Sequence, residues 1–388
     1  MAIKDSLDGL AEPVLHWLEA RARYVGGANC LDWVARDPVV ACLAPALVIL
    51  DRQGLLHLSE DARQAAEQQY LVNKARWMVR EDRLKQVLGV LHQAGIAIIP
   101  LKGAILQGQL YHDSGLRALG DIDILVRADQ YLRAAELLLG AGLQLYPGSQ
   151  LKSLATLTGV LASSLPAEIE FIDRNNTLLA LDLHRHLLYT PWLMPGYTID
   201  IDLLWRRAMP LAAGDDGSGL WKLTLSPYDT LAHLILHQAV HGLLAMQTYL
   251  DIGLWLKNLP ASWDWDQFIE LVNHWQIRSA TYHTLMSCRE FMDVPLPEDI
   301  LKRLDPGWLA RGRVRLLVSP ASLLAHRPSL GRRYPTLVRL ALIDRLPRLF
   351  WILVKLAFPD KAWRQQHPEQ RSFFAHWLYV LRVFKRWG

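Results

Sequence analysis

The chain has 388 residues, with 42 Lys plus Arg against 38 Asp plus Glu and 51% hydrophobic residues, enough apolar material for a sizeable core, which excludes a disordered chain and a lone mini-domain. Its three cysteines, Cys30, Cys42 and Cys288, supply neither a disulfide framework nor metal-ligand spacing, so a reducing cytoplasm is the expected compartment. The net charge of +4 is unevenly divided: residues 302–388 hold 18 Lys or Arg and 4 Asp or Glu, a net +14 that leaves −10 on residues 1–301, and such a split concerns partners rather than fold.

In chain order, Asp5, Asp8, Glu12 and Glu19 interrupt the first 21 residues, so no secretory signal is expected there. Three- and four-residue apolar spacing predicts helices over 10–24 and 61–95. The run IAIIPL at 96–101 predicts a buried strand entering a turn at Lys102-Gly103, after which helical spacing resumes to Asp113. Alternation in DIDILV predicts a half-buried strand over 121–126, followed by an amphipathic helix over 128–142. EIEFID at 168–173 and LLALDLHRH at 178–186 flank a turn-forming stretch at 174–177 and predict an antiparallel hairpin. GDDGSG at 214–219 predicts a loop and boundary, and the chain after Ser226 predicts helices broken near Pro260, Pro295 to Pro297, Pro306 and Pro359. The 21 residues from Thr230 to Leu250 lack Asp, Glu, Lys and Arg but contain three histidines and two glutamines, which predicts a buried helix and no integral membrane segment. The expected organisation is α+β: a helical region over 1–90, a small mixed-sheet core over 91–225, and a helical, basic region over 226–388.

Residues 101–126 carry the chemistry. Asp121 and Asp123, two apart on a predicted strand, project from one face about 6–7 Å apart. Alone, the pair reads as a solvated strand edge. A divalent cation is the other way to make two facing carboxylates tolerable, and here a strand, a Lys-Gly turn and a helix precede the pair while Asp182 follows on another strand.

Taken together, Leu101-Lys102-Gly103-Ala104, Tyr111, Leu116-Arg117, Asp121-Ile-Asp123-Ile-Leu-Val and Leu181-Asp182-Leu183-His184 resemble the uncharacterised nucleotidyltransferase family of the DNA polymerase beta superfamily. The likeness extends through Leu225-Ser-Pro-Tyr-Asp229 to Tyr249-Leu-Asp251. The resemblance implies a small mixed sheet with a glycine turn after its first strand. It implies that Asp121, Asp123 and Asp182 hold two Mg2+ ions and move a nucleoside monophosphate, AMP from ATP or its counterpart from another nucleoside triphosphate, to a hydroxyl of a small molecule, peptide or protein. Two metals would stabilise the entering and leaving oxygens of an in-line displacement at phosphorus. Where superfamily members carry Gly-Ser or Gly-Gly, this chain has Gly103-Ala104, whose backbone N–H groups open a helix and suit phosphate. Phosphoryl transfer at the same site and a non-catalytic scaffold are the alternatives.

Lys102 reads either as a triphosphate ligand or as a partner of Asp121 or Asp182. Arg117 reads as a phosphate ligand or as a surface arginine. His184 suits orientation of Asp182, phosphate contact or proton acceptance, and a structural histidine is the plainer reading, as for His186. His233, His237 and His241 share a helix face and read as a polar seam rather than a metal site. LPRLFWILVKLAF at 346–358, amid Arg345, Arg348, Lys355 and Lys361, fits either an internal helix or an anionic membrane surface. The basic C-terminal region is accordingly expected to meet an anionic partner or to be neutralised by the acidic remainder of the chain.

Overall fold

The computed structural model describes residues 11–21, 42–149, 151, 153–157, 165–175, 178–190, 192–211, 219–319, 323–324, 335–358 and 377. The chain forms two compact units. One is built from Met1–Val14, Ala28–Tyr189 and Asp200–Thr230, the other from Leu15–Gly27, Thr190–Ile199 and Leu231–Gly388.

After helix α1 (11–21), the first unit runs through α2 (Ala44–Arg52), α3 (Glu60–Gln93), β1 (Ile99–Pro100), α4 (Gly103–Leu106), β2 (Ile122–Leu125), α5 (Tyr131–Gly140), β3 (Leu143–Leu145), β4 (Glu168–Asp173), β5 (Ala180–His184) and α6 (Ile201–Arg207). A two-stranded ribbon of β6 (Met209–Pro210) and β7 (Leu223–Thr224) follows. The main sheet has the order β1-β2-β5-β4-β3, with β2 and β5 parallel and every other pair antiparallel. Strand alternation sends Ile122, Ile124, Leu181, Leu183, Ile169 and Phe171 to one face, where all are buried. Helix α5 presents Tyr131, Ala134, Ala135 and Leu138 at helical spacing and packs against β3, β5 and α3.

Helix α3 starts where Ser59 accepts a hydrogen bond from the Ala62 N–H, with Glu60 and Asp61 in the first turn favoured by the helix dipole. Its buried stripe is apolar at both ends, with Ala62 and Ala66 at one and Leu84, Val87, Leu88 and Leu91 at the other. Between them it buries Asn73 and Arg80. That polar stretch holds the loops beside the strands: Asn73 Nδ2 donates to Gly115 O at 3.1 Å, and Arg80 donates to the carbonyls of Leu119 and Leu178. Arg83 adds bonds to Asp173 Oδ1 at 2.9 and 3.1 Å.

Helix α7 (Pro227–Val240) begins on a reciprocal cap: Ser226 Oγ accepts from the Asp229 N–H and donates to Asp229 Oδ2 at 2.5 Å, while Arg207 clamps the same carboxylate. The Ser-Pro-Tyr-Asp sequence is therefore a helix start. The second unit continues through α8 (Met246–Lys257), α9 (Trp265–Trp275), α10 (Arg278–Met292), α11 (Ile300–Arg303), α12 (Trp308–Arg315), α13 (Pro335–Ala341) and α14 (Leu346–Ala357). The proline breaks predicted at 260, 295–297 and 306 fall between these helices.

The structure shortens several expected elements. The strand predicted over 121–126 covers only Ile122–Leu125, and the helix resuming at Gly103 passes after one turn into a π-helical segment, Gln107–Tyr111. Strands β3, β6 and β7 add two- and three-residue pairings. Most of the 214–219 loop, part of the 174–177 turn, Pro359 and Cys30 lie outside the described residues, while Cys42 and Cys288 are free thiols. Among the described residues, no helix is long and apolar enough to cross a membrane.

Candidate nucleotide and metal site

The register of the sheet assembles the site. Asp123 on β2 lies opposite Asp182 on the parallel β5, and Glu170 on β4 lies opposite Asp182 from the other side. His184 is opposite Glu168. One sheet face therefore carries Asp123, Asp182, His184, Glu168 and Glu170, alternating with the apolar residues that fill the other face. His184 Nε2 donates to Asp123 Oδ1 at 2.8 Å, and its Nδ1 lies 3.5 Å from Glu168 Oε2, close enough for electrostatic contact but without hydrogen-bond geometry. Asp121 stands exposed one residue before β2.

Lys102 reaches this face from the turn after β1. Its Nζ donates to Asp123 Oδ1 at 2.7 Å and sits 6.0 Å from the Tyr189 ring. The pairing expected with Asp121 or Asp182 is thus made with Asp123, the carboxylate deepest in the face. Lys102 adopts φ 47°, ψ −127°, a left-handed conformation that costs a non-glycine residue about 1–3 kcal/mol and that clusters at functional sites. Arg117 and Leu119 close over Gly103: a Cβ there would stand 2.0 Å from Arg117 Nη1 and 2.4 Å from Leu119 Cδ1, so a larger residue would displace both side chains. Arg117 is accordingly buried against the turn, with Nη1 donating to Ala118 O at 3.3 Å, and is not a surface arginine. The Ala104 N–H closes a turn onto Leu101 O at 3.1 Å.

Packing this many carboxylates together leaves a charge problem. Burial and the negative charges of Glu168, Asp121 and Asp123 push the Asp182 carboxyl up to about 9. Burial likewise raises Glu168. Although burial opposes its ionisation, Asp123 is held well below the usual range by Lys102 and His184, and Lys102, against its own burial, is raised by Asp123 and by the charge of Asp121. The face thus exceeds what one ammonium can neutralise. Single ligand atoms of Asp123, Asp182 and His184 all lie within 4.8 Å of one another, a set suited to a divalent cation. Asp121 stands outside that set, and its charge acts on Lys102 and Asp182.

Among the described residues this is the one group that meets metal-ligand geometry, so His233, His237 and His241 do not converge as ligands. His233 is buried, and the His237 and His241 rings meet edge-on with centroids 4.4 Å apart. His186 falls beyond the end of β5 and its Nδ1 accepts from the Leu188 N–H at 3.0 Å, a structural role; burial lowers it to about 4. Glu168 is the site residue the sequence reading passed over. Its signal was there: EIEFID alternates in the same sense as DIDILV and LALDLH.

The geometry agrees with comparison to known proteins. The model of a family described as uncharacterised nucleotidyltransferase matches residues 29–293, most of the chain and all of this site. No curated protein and no solved structure shows a significant match. With its glycine turn, parallel carboxylate pair and mixed sheet inside the matched segment, the chain belongs to this family of uncharacterised nucleotidyltransferases.

Proposed function

We propose that the chain transfers a nucleoside monophosphate, AMP from ATP, to a hydroxyl acceptor with the help of two Mg2+ ions. The observation that carries this reading is the register of β2 and β5, which sets Asp123 beside Asp182 with Lys102 on the same carboxylate. Asp121, Asp123 and Asp182 would hold the ions, with His184 orienting Asp123. Bound there, divalent cations neutralise the triphosphate and stabilise both oxygens of the in-line displacement. The protein residues do the rest. Lys102, which donates to Asp123 on this face, would place its ammonium where it offsets phosphate charge. Arg117 packs against the Gly103-Ala104 turn and would offer its guanidinium to the triphosphate. Glu168 keeps His184 in place at the face.

The identity of the released product tests this directly. The full chain, incubated with Mg2+ and each nucleoside triphosphate, is expected to release pyrophosphate, fastest from ATP, and an acceptor recovered by mass spectrometry is expected to gain a nucleoside monophosphate. Release of nucleoside diphosphate, with an acceptor gaining only phosphate, would make the enzyme a kinase by outcome. No triphosphate turnover with any nucleotide, in protein that still binds the cation, would support the scaffold reading.

A further inference from the structure

Helix α14, LPRLFWILVKLA over Leu346–Ala357, is built in reverse of an ordinary surface helix. Its packed stripe centres on Ile352, which is 1% exposed and meets the turn Met194–Gly196, where a Cβ on Gly196 would stand 3.3 Å from Ile352 Cδ1. At 100° per residue the opposite side holds Leu346, Pro347, Phe350, Leu353, Val354 and Ala357, with Trp351 and Phe358 at its edges. These side chains point outward: Leu346 is 58% exposed, Phe350 68%, Trp351 53%, Leu353 42% and Phe358 69%. The charged residues of the helix lie toward the packed side. Arg348 is spent on the fold, donating to Tyr197 O and Thr198 Oγ1 at 3.0 and 2.9 Å. Arg345 and Lys355 are exposed, the latter 5.7 Å from the Trp351 ring. No Asp or Glu occurs between 345 and 358.

We propose that α14 is a membrane-surface anchor that lays this apolar face into the headgroup boundary of an anionic lipid bilayer. An outward apolar face needs a cover, and charge selects among three. The chain's own residues 359–388 hold 6 Lys or Arg against 2 Asp or Glu, so they share the sign of the helix rim. A second copy would bring the same basic rim against itself. An anionic bilayer supplies both an apolar interior for Phe350, Leu353 and Leu346 and negative headgroups for Arg345 and Lys355. Trp351 and Phe358 stand at the edges, where aromatic rings favour the interface. Twelve residues of helix reach about 18 Å, too short to span the hydrocarbon core but sufficient to lie along its surface. The net +14 of residues 302–388 extends the attraction.

The test is co-sedimentation of the full chain with vesicles of phosphatidylglycerol and phosphatidylcholine in equal parts, and with vesicles of phosphatidylcholine alone. The expected result is binding to the first at physiological salt, weak or absent binding to the second, and release at high salt. Phe350→Ser with Trp351→Ser, both on the exposed face, should cut binding about tenfold or more while circular dichroism and melting stay unchanged. Arg345→Gln with Lys355→Gln should reduce it by a smaller factor and flatten the salt dependence. Failure of the wild type to sediment with either vesicle would overturn the proposal, and light scattering would then say what covers the face. A dimer dissolved by Phe350→Ser would assign it to a second copy, and a monomer to the chain's own C-terminal residues. Equal binding by wild type and the serine variant would also overturn it.

Discussion

The two faces of the five-stranded sheet are written in the same strands, residue by residue, and do opposite work. Ile122, Ile124, Leu181, Leu183, Ile169 and Phe171 bury one face completely. On the other, Asp123, Asp182, His184, Glu168 and Glu170 gather more negative charge than Lys102 offsets. The apolar face buries hydrophobic side chains, whereas the polar face concentrates carboxylates that a bound cation would offset. Substitution on one face should therefore act on folding, and on the other on chemistry and its pH dependence.

The largest separation is expected from the carboxylates proposed to hold the cations. Asp123→Asn and Asp182→Asn should each lower turnover about a thousandfold or more, with the double variant little worse than either, because they act through shared ions. Their stabilities should part. Asp123 is buried and paired with Lys102 and His184, so Asp123→Asn strands a buried ammonium and lowers the melting temperature of the metal-free protein. Asp182→Asn removes the cost of holding that carboxyl protonated far above its usual range and should raise it. Thermal melts with and without chelator decide both.

On the apolar face, Phe171→Ala should cost about 3–5 kcal/mol by denaturant titration. Arg80→Ala, which frees two part-buried carbonyls beside the site, should cost about 1–3 kcal/mol and lower activity through the displaced 119 and 178 loops. The pH effect is smaller. Asp182 holds its proton up to about 9 when folded, against a usual value of 3.8, so the folded state binds more protons over that interval. Its contribution to stability is fully present below 3.8 and is lost as pH rises through 9. The metal-free protein should accordingly lose stability between neutral pH and pH 9, and Asp182→Asn should flatten that slope. Cation affinity should run the other way and climb with pH, because binding expels the Asp182 proton. Lys102→Met should raise cation affinity without nucleotide several-fold, by removing the competing ammonium, while weakening triphosphate binding.

The sequence made these strands legible because alternation over five or six residues has a period that survives without tertiary context. DIDILV and EIEFID could be placed on strands from that alone, with Asp121 and Asp123 sharing one face of the first and Glu168 and Glu170 sharing one face of the second. Register could not be read. Whether Lys102 meets Asp121, Asp123 or Asp182 depends on how β1, β2 and β5 align, a non-local matter, and Glu168 joins the site only because β4 pairs next to β5. Arg117 reads from the sequence as either a phosphate ligand or a surface arginine, and the choice depends on its packing against Gly103, fourteen positions away. Strands such as β3, β6 and β7, at two or three residues, are too short to show a period. Apolar spacing over 61–95 predicts the helix but not the role of Asn73 and Arg80, which bond the backbone at Gly115, Leu119 and Leu178.

The claim that the polar face is a divalent-cation site is tested most directly by titrating the purified full chain with Mn2+ and reading bound metal by electron paramagnetic resonance, in wild type and in an Asp123→Asn, Asp182→Asn double variant. Saturable binding in the wild type, strengthened by ATP and abolished in the folded double variant, is the predicted result. Binding of the same affinity in both proteins would place the cation elsewhere and contradict the assignment of this face.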